Sequence, residues 1–494
     1  MRRSIAFLLT LFAPALFAQE LGVISFPNSG SAAAQVPFLR GVLLLHSFEY
    51  DDAAAAFRDA QAADSSFALS YWGEALTHYR PVWGRENLRA GRSALENAPD
   101  SPAVTPREKA YVDAARIAFG DGKRDERWKR YSDAMGQLSR DHPEDLEAAS
   151  LYAVSMFGVT GGDRDHKTYM KIASIGERVF RENPEHPGAL HYLIHAFDDP
   201  VHAPLGLPFA RLYSKVASAA PHAQHMPSHI FLALGMWDEC ISSNVDSWNS
   251  SEDRVKRLGL GSDDRGYHAL WWMQYAYLQK GRLDKARANL SIIEQDAAES
   301  GTRHARNHQA YLRAHFLVDG EQWESDLLPV DDDGLTGRAW GANALVEGIR
   351  ALKNGDAAGA RAWASKLQAR ADADGDDEPS LSIAALELQG LLHLEDGRAE
   401  EAVATLRKAV QIEEGTPFGY GPPFPPKPAL ELLGETLLVL DRPKEALTAF
   451  QASLERTPRR TLSLRGLRKA ATAAGDEESA KRAKSELGEL ISSR

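Results

Sequence analysis

The sequence predicts an all-α solenoid of stacked helix pairs, on three observations. A frame of 34 residues returns along the chain, each copy reads as two amphipathic helices joined by a tight turn, and small residues recur at fixed places. The first readable copy covers residues 34–67, with Gly41, Ala53, Phe57 and Ala60 at slots 8, 20, 24 and 27. A copy starting at Lys427 puts Gly434, Ala446, Phe450 and Pro458 at slots 8, 20, 24 and 32. Others start at residue 341, with Gly348, Gly355 and Ala360, and at Ile383, with Gly390, Ala402, Leu406 and Ala409. The last, from Thr461, keeps Ala480, loses the aromatic and turns polar, as a terminal capping copy should. Small side chains at slots 8 and 20 let the two helices of a pair cross closely; anything beyond Cβ there would separate them.

On these residues the chain resembles the tetratricopeptide repeat family. The resemblance implies a right-handed superhelical solenoid over residues 34–494, in which slots 2, 5, 9, 12 and 13 of each first helix line a concave groove where ligands lie. More narrowly, the strings HYLIHAFDDPVHAP, PHAQHMPSHIFLALGMWDE, YGPPFPPKP and ELLGETLL resemble a group of exported bacterial tetratricopeptide proteins over roughly residues 34–472. That group often carries a histidine just before the position of Glu431, where this chain has Ala429 and Leu430. The resemblance supports fold and groove and gives no reaction.

Residues 1–18 hold two arginines, an apolar run from Ile5 to Ala18 and small residues at its end, the pattern of a secretory signal peptide cleaved near Ala15 to Ala18. The run is shorter than the roughly 20 apolar residues a membrane span needs. The expected address is therefore periplasmic or secreted, with a linker over 19–33, a His-rich central part over 186–268 and C-terminal repeats over 341–494. The single Cys240 excludes an intramolecular disulfide and haem attachment through two cysteines. At slot 20 of its copy it reads as a small core residue. A formal charge of -12 and the lack of a dense basic patch argue against nucleic acid.

Loops are expected at 249–262, 371–379 and 415–428, the last reading GTPFGYGPPFPPKP, and residues 85–150 read as helical in poor register. The acidic run Asp372, Asp374, Asp376 does not make a calcium loop, which wants Gly where Asp377 stands and Glu where Ile383 stands.

Seven of the sixteen histidines lie between His186 and His229. With copies starting at Pro187 and Pro221, His191 and His225 share slot 5, and His195 and His229 share slot 9. His222 takes slot 2, Asp198 slot 12, and His268 slot 2 of the copy starting at Tyr267. Residues four apart share a helix face with Cβ atoms about 5–6 Å apart, so each pair can aim two imidazoles at one point. His202 falls in the turn between the helices of its copy, His46 faces the groove several copies away, and His186 falls in a turn and is expected to face solvent.

Neutral imidazole suits Zn, Cu or Fe, so His191, His195, His225, His229 and His222 are candidate metal ligands, with Asp198, His202 and His268 as supporting or alternative ligands. HYLIH lacks the glutamate of the zinc-protease helix, and no nucleophile elbow, phosphate loop or dinucleotide fingerprint appears, so no nucleotide is expected. Two readings stand: a metal-binding solenoid, which includes a metal-dependent enzyme, and a scaffold holding a peptide or protein partner in its groove. Trp271 and Tyr275, at slots 5 and 9 beside His268, serve either as groove aromatics.

Overall fold

The structure, a computed structural model, describes residues 20–99, 104–160, 164–375 and 377–492. The expected leader over 1–18 and Asp376 of the acidic run lie outside them. Among the described residues the chain is all-α, built of successive helices packed in pairs, apart from a two-stranded hairpin that pairs Tyr79 with Glu86 and Arg80 with Arg85. No described helix is long and apolar enough to cross a membrane. The chain divides into two compact units: residues up to Asp198 with Leu205–Pro227, and Asp199–Pro204 with Ser228–Arg494.

Among the described residues the first pair of the N-terminal unit is Ala32–His46 and Tyr50–Ala63. Phe57 explains its glycine: a Cβ on Gly41 would lie 2.8 Å from the Phe57 ring, and one on Gly73, in the helix Ala68–Leu76, would overlap the same ring. One aromatic knob thus seats on its own pair and on the next helix. The described residues of the region of poor register, 85–150, still form mostly helices, among them Pro106–Ala118, Arg124–Asp141 and Leu146–Val159. Its contacts use other knobs, Phe119 over Gly91 and Tyr152 over Gly136, which is why the slot pattern fails there. Residues 20–31, expected as a linker, pack on this unit: the Val23 N–H donates to the Glu185 carbonyl at 2.9 Å, and Phe26 is buried against Phe38, Trp72 and Tyr111.

The C-terminal unit repeats the logic. Phe450 seats on Gly434, where a Cβ would lie 2.8 Å away, and on Gly466 of the next pair; Leu406 does the same for Gly390. Cys240 is fully buried, as its slot predicts, and burial pushes its thiol well above the ordinary range. The expected loop over 249–262 is mostly helix: Trp237–Leu258 continues through it and stops at Gly259, whose φ of 64° is the left-handed turn that glycine adopts without strain. Polar residues do not end a helix unless a cap or a break follows. The 371–379 loop likewise shrinks, because the helix Ala357–Asp374 runs into it.

Within this unit the last pair, Thr461–Ala474 and Glu477–Ser492, is tied to helices far back in sequence. The Arg460 guanidinium, fully buried, meets Asp319 at 2.6 Å, Glu431 at 2.9 Å and the Tyr275 hydroxyl at 3.1 Å. The Thr461 N–H donates to Gln279 Oε1 at 2.9 Å, and the Thr461 hydroxyl to the Gln279 carbonyl at 2.6 Å. Burial alone would raise the Glu431 carboxyl, but Arg460 and Lys427 outweigh it and hold it at about 2. Removing the cation leaves buried Asp319 with only the neutral partners Gln279 and His315, and Glu431 with Lys427 as its one remaining cation; breaking a buried pair in this way costs about 3–5 kcal/mol. Arg460→Met is therefore expected to lower the unfolding free energy of the C-terminal unit by that amount in a urea titration, with a lower midpoint; an unchanged midpoint would show that the network contributes nothing.

Candidate metal centre

The helix Pro187–Phe197 starts with His186 as its N-cap, Nδ1 accepting from the Ala189 N–H at 3.2 Å, and with Pro187 at the first position, where its missing N–H costs nothing. HPGALHYLIHAF is apolar nearly all round, and every residue of the helix is buried. His191 and His195 stand one turn apart on one face, ring centroids 4.9 Å apart.

His222 comes from the next copy, in the short helix Pro221–His225; Glu49 Oε1 accepts from its backbone N–H at 2.9 Å. His191 Nδ1 lies 2.7 Å from the carbonyl of His46. A carbonyl only accepts, so the proton sits on Nδ1 and the lone pair on Nε2. That Nε2 faces His222 Nε2 at 3.2 Å, and one nitrogen from each of His191, His195 and His222 falls within 4.8 Å of the others. Two nitrogens sharing one ion at bonds of about 2.0–2.1 Å stand roughly 3.0–3.4 Å apart.

The walls are aromatic. Phe48 lies 4.2 Å from His191, 5.6 Å from His222 and 6.0 Å from His195, ring to ring; Tyr213 stacks on His191, and Phe157 meets His195 edge-on. Phe48 holds a φ of 57°, a left-handed conformation that costs a non-glycine residue about 1–2 kcal/mol, in the turn between the helices Ala32–His46 and Tyr50–Ala63. Its ring touches all three imidazoles from there. His222 is half-buried and packs against Trp83, itself 45% exposed, so the cluster approaches solvent on that side.

A second group lies behind it. His46 Nε2 meets Glu147 Oε2 at 2.7 Å, His186 Nε2 meets Glu147 Oε1 at 3.1 Å, and all three residues are fully buried. This is two imidazoles and a carboxylate, but His186 Nδ1 accepts a backbone N–H, which puts the proton on Nε2, the atom a metal would need. His46 takes the Tyr192 hydroxyl at Nδ1, 2.8 Å away. Burial raises the Glu147 carboxyl, and His186 and His46 more than reverse this, holding it at about 2. Burial lowers His46 despite the pull of Glu147. The group is an anion held by two N–H donors, and it fixes the peptide that orients His191.

The structure thus gathers His191, His195 and His222. The nitrogen opposite His191 comes from His222, one turn earlier on the helix than its slot partner His225. His225 is buried, 6.2 Å from His222 ring to ring. His229 and His268 belong to the C-terminal unit; His229 is buried and packs on Trp272 at 4.4 Å, while His268 is exposed and lies 5.2 Å from the same ring. Asp198 is buried at the end of its helix. His202 lies 2.9 Å from Asp199, whose carboxylate also accepts the N–H groups of Val201 and His202. Trp271 and Tyr275 are both buried.

His186, expected to face solvent, is fully buried. Turn position says little about exposure when the side chain caps a core helix. Glu147, Phe48, Tyr213 and Trp83 carry no motif. Only Glu147 had a readable signal: it is the one charged residue of LEAASLYAVSMFGV, and a helix apolar all round buries whatever charge it holds.

Residues 383–416, the pair Pro379–Glu395 and Ala399–Gly415, match the tetratricopeptide repeat family model. No curated protein sequence matches the chain significantly. Among solved structures, the chain is similar to the human IFIT1 dimer with PPP-AAAA at 14% identity and a TM-score of 0.39, covering 97% of this chain and 94% of that one. It is similar to a chain of the APC/C hetero-tetramer Cut9-Hcn1 at 10% identity and a TM-score of 0.38, covering 93% of this chain and 74% of that one. Likeness at this level carries no functional argument.

Two measurements check the geometry. Nitrogen-15 NMR of metal-free protein is expected to place the proton of His191 on Nδ1 and that of His186 on Nε2; the reverse tautomers would contradict the hydrogen bonds described. Glu147→Ala, which leaves His46 Nε2 without its acceptor and His186 Nε2 with only Ser150 Oγ at 3.3 Å, is expected to destabilise the N-terminal unit by about 2–3 kcal/mol, and Glu147→Gln by less, in urea titrations.

Proposed function

We propose that this chain is an interaction scaffold of tetratricopeptide type that carries a transition-metal centre in its N-terminal unit. The scaffold reading rests on the repeat matched at 383–416 and on helix pairs of the same kind through both units. Such pairs offer partners a preformed surface of first helices. Partner capture is its test: an affinity-tagged chain is expected to retain a defined partner from an extract of its source compartment, with chelator present. Recovery of nothing above a tagged control would end this reading.

The metal reading is carried by one observation, three imidazole nitrogens within 4.8 Å of one another, of which His191 Nε2 is presented lone pair first. His191, His195 and His222 would hold the ion; neutral nitrogen ligands suit Zn, Cu or Fe and leave its charge available to polarise a bound group. Purified protein is expected to take up about one equivalent of one of these metals by elemental analysis and calorimetry. His191→Ala/His222→Ala is expected to lose it with circular dichroism unchanged, since each helix pair is held by its neighbours. No uptake of Zn, Cu or Fe by the wild-type chain would remove the centre. Export rests on the leader pattern of residues 1–18 and belongs to the same proposal.

A further inference from the structure

In the C-terminal unit the helices Tyr267–Gln279, Arg303–Asp319 and Gly337–Lys353 bring Trp271, Tyr311, His315 and Arg338 to one place. Trp271 lies 5.0 Å from Tyr311 and 6.0 Å from His315, ring to ring. What covers them is the chain itself. Phe424, from the segment over 416–428, packs on Trp271 at 5.4 Å, on Tyr311 at 5.0 Å and on His315 at 6.4 Å, with the Arg338 guanidinium 5.3 Å above its ring. The segment is pinned at its far end, where the Pro426 carbonyl accepts from Arg460 at 3.2 Å and Lys427 meets Glu431 at 3.0 Å. At its near end Arg456 donates to the Thr416 carbonyl at 3.2 Å and lies over the Phe418 ring.

The cover satisfies the apolar surface and leaves the polar one unmet. Trp271 Nε1–H and His315 Nε2 are both buried with no hydrogen-bond partner among the described residues. His315 lies 2.8 Å from Asp319 through Nδ1, so its proton sits there and Nε2 is an acceptor. A buried donor and a buried acceptor, each unpaired, cost more than either would in water. They also specify what would relieve them: a group offering one carbonyl and one N–H beside an aromatic ring, which is the chemistry of a peptide unit.

We infer that Trp271, Tyr311, His315 and Arg338 form a receptor for an extended polypeptide segment carrying phenylalanine next to proline, and that residues 418–426 occupy it as a resident competitor. The inference rests on the scaffold reading and names the partner's chemistry. An intramolecular competitor reduces the apparent affinity of a free one by the fraction of time the site is open. Removing it exposes the receptor.

The probe is a fluorescein-labelled peptide, TPFGYGPPFPPKP, followed by anisotropy against the full chain; free of the anchors at Thr416, Pro426 and Lys427 that hold the resident copy, it can shift to bring a carbonyl and an N–H to Trp271 and His315. Two variants open the site: replacement of residues 417–425 by an equal length of glycine and serine, and the milder Phe424→Ala. Both are expected to bind at least tenfold more tightly than the wild type, with circular dichroism confirming that each is folded. Adding Trp271→Phe, which keeps a ring and removes the N–H, is expected to weaken binding about tenfold, as is His315→Phe. A peptide with alanine in place of the phenylalanine before Pro-Pro-Lys-Pro is expected not to compete.

Absence of binding to both opened variants overturns the inference while partner capture by the wild-type chain can still succeed, so the two failures are separable. Binding that Trp271→Phe and His315→Phe leave unchanged overturns it as well, because the unmet donor and acceptor would then play no part.

Discussion

One contact recurs through both units: a ring or branched side chain on one helix seated over a glycine of its neighbour. Phe57 sits on Gly41 and Gly73, Phe450 on Gly434 and Gly466, and Leu406 on Gly390. Because a Cβ at those glycines would lie within 3 Å of the knob, the helices approach more closely than ordinary side chains allow. Everything else follows from that approach. First helices so close together bury their facing side chains whatever their polarity, and a buried polar group must then find a partner.

The two units solve this differently. In the N-terminal unit the polar residues are imidazoles, and their hydrogen bonds set tautomers: Glu147 takes the N–H groups of His46 and His186, and the His46 carbonyl takes that of His191. The outcome is a lone pair aimed at His222. In the C-terminal unit they are full charges, with Arg460 set among Asp319, Glu431 and the Tyr275 hydroxyl. That network joins the last pair to helices more than a hundred residues earlier, and a glycine- and proline-rich segment runs between them onto the aromatic face. Close helix packing therefore produces both the histidine cluster and the covered aromatic surface.

The pair boundaries were legible wherever an aromatic or leucine at slot 24 faced a glycine at slot 8, since that contact is short-range and writes a period into the chain. Register was lost over 85–150, where Tyr152 and Phe119 supply the knobs at other spacings. Of the histidines, the pair His191 and His195 was legible because one helix places both. Which residue of the following copy met them was not: a frame of 34 gives slots within a copy, whereas the meeting of His191 with His222 depends on how neighbouring copies pack.

By itself the sequence determined the class of fold and the neighbourhood of the cluster, because both depend on helical periodicity, which acts over a few residues. Only the tertiary structure decided that His222 opposes His191, that Phe48 lies against three imidazoles from a left-handed turn, that Glu147 and the His46 carbonyl set the tautomers, and that Phe424 covers Trp271. Each of these joins groups from separate helices or turns, some more than a hundred residues apart. Such meetings are set by how successive pairs stack, and no local periodicity records that.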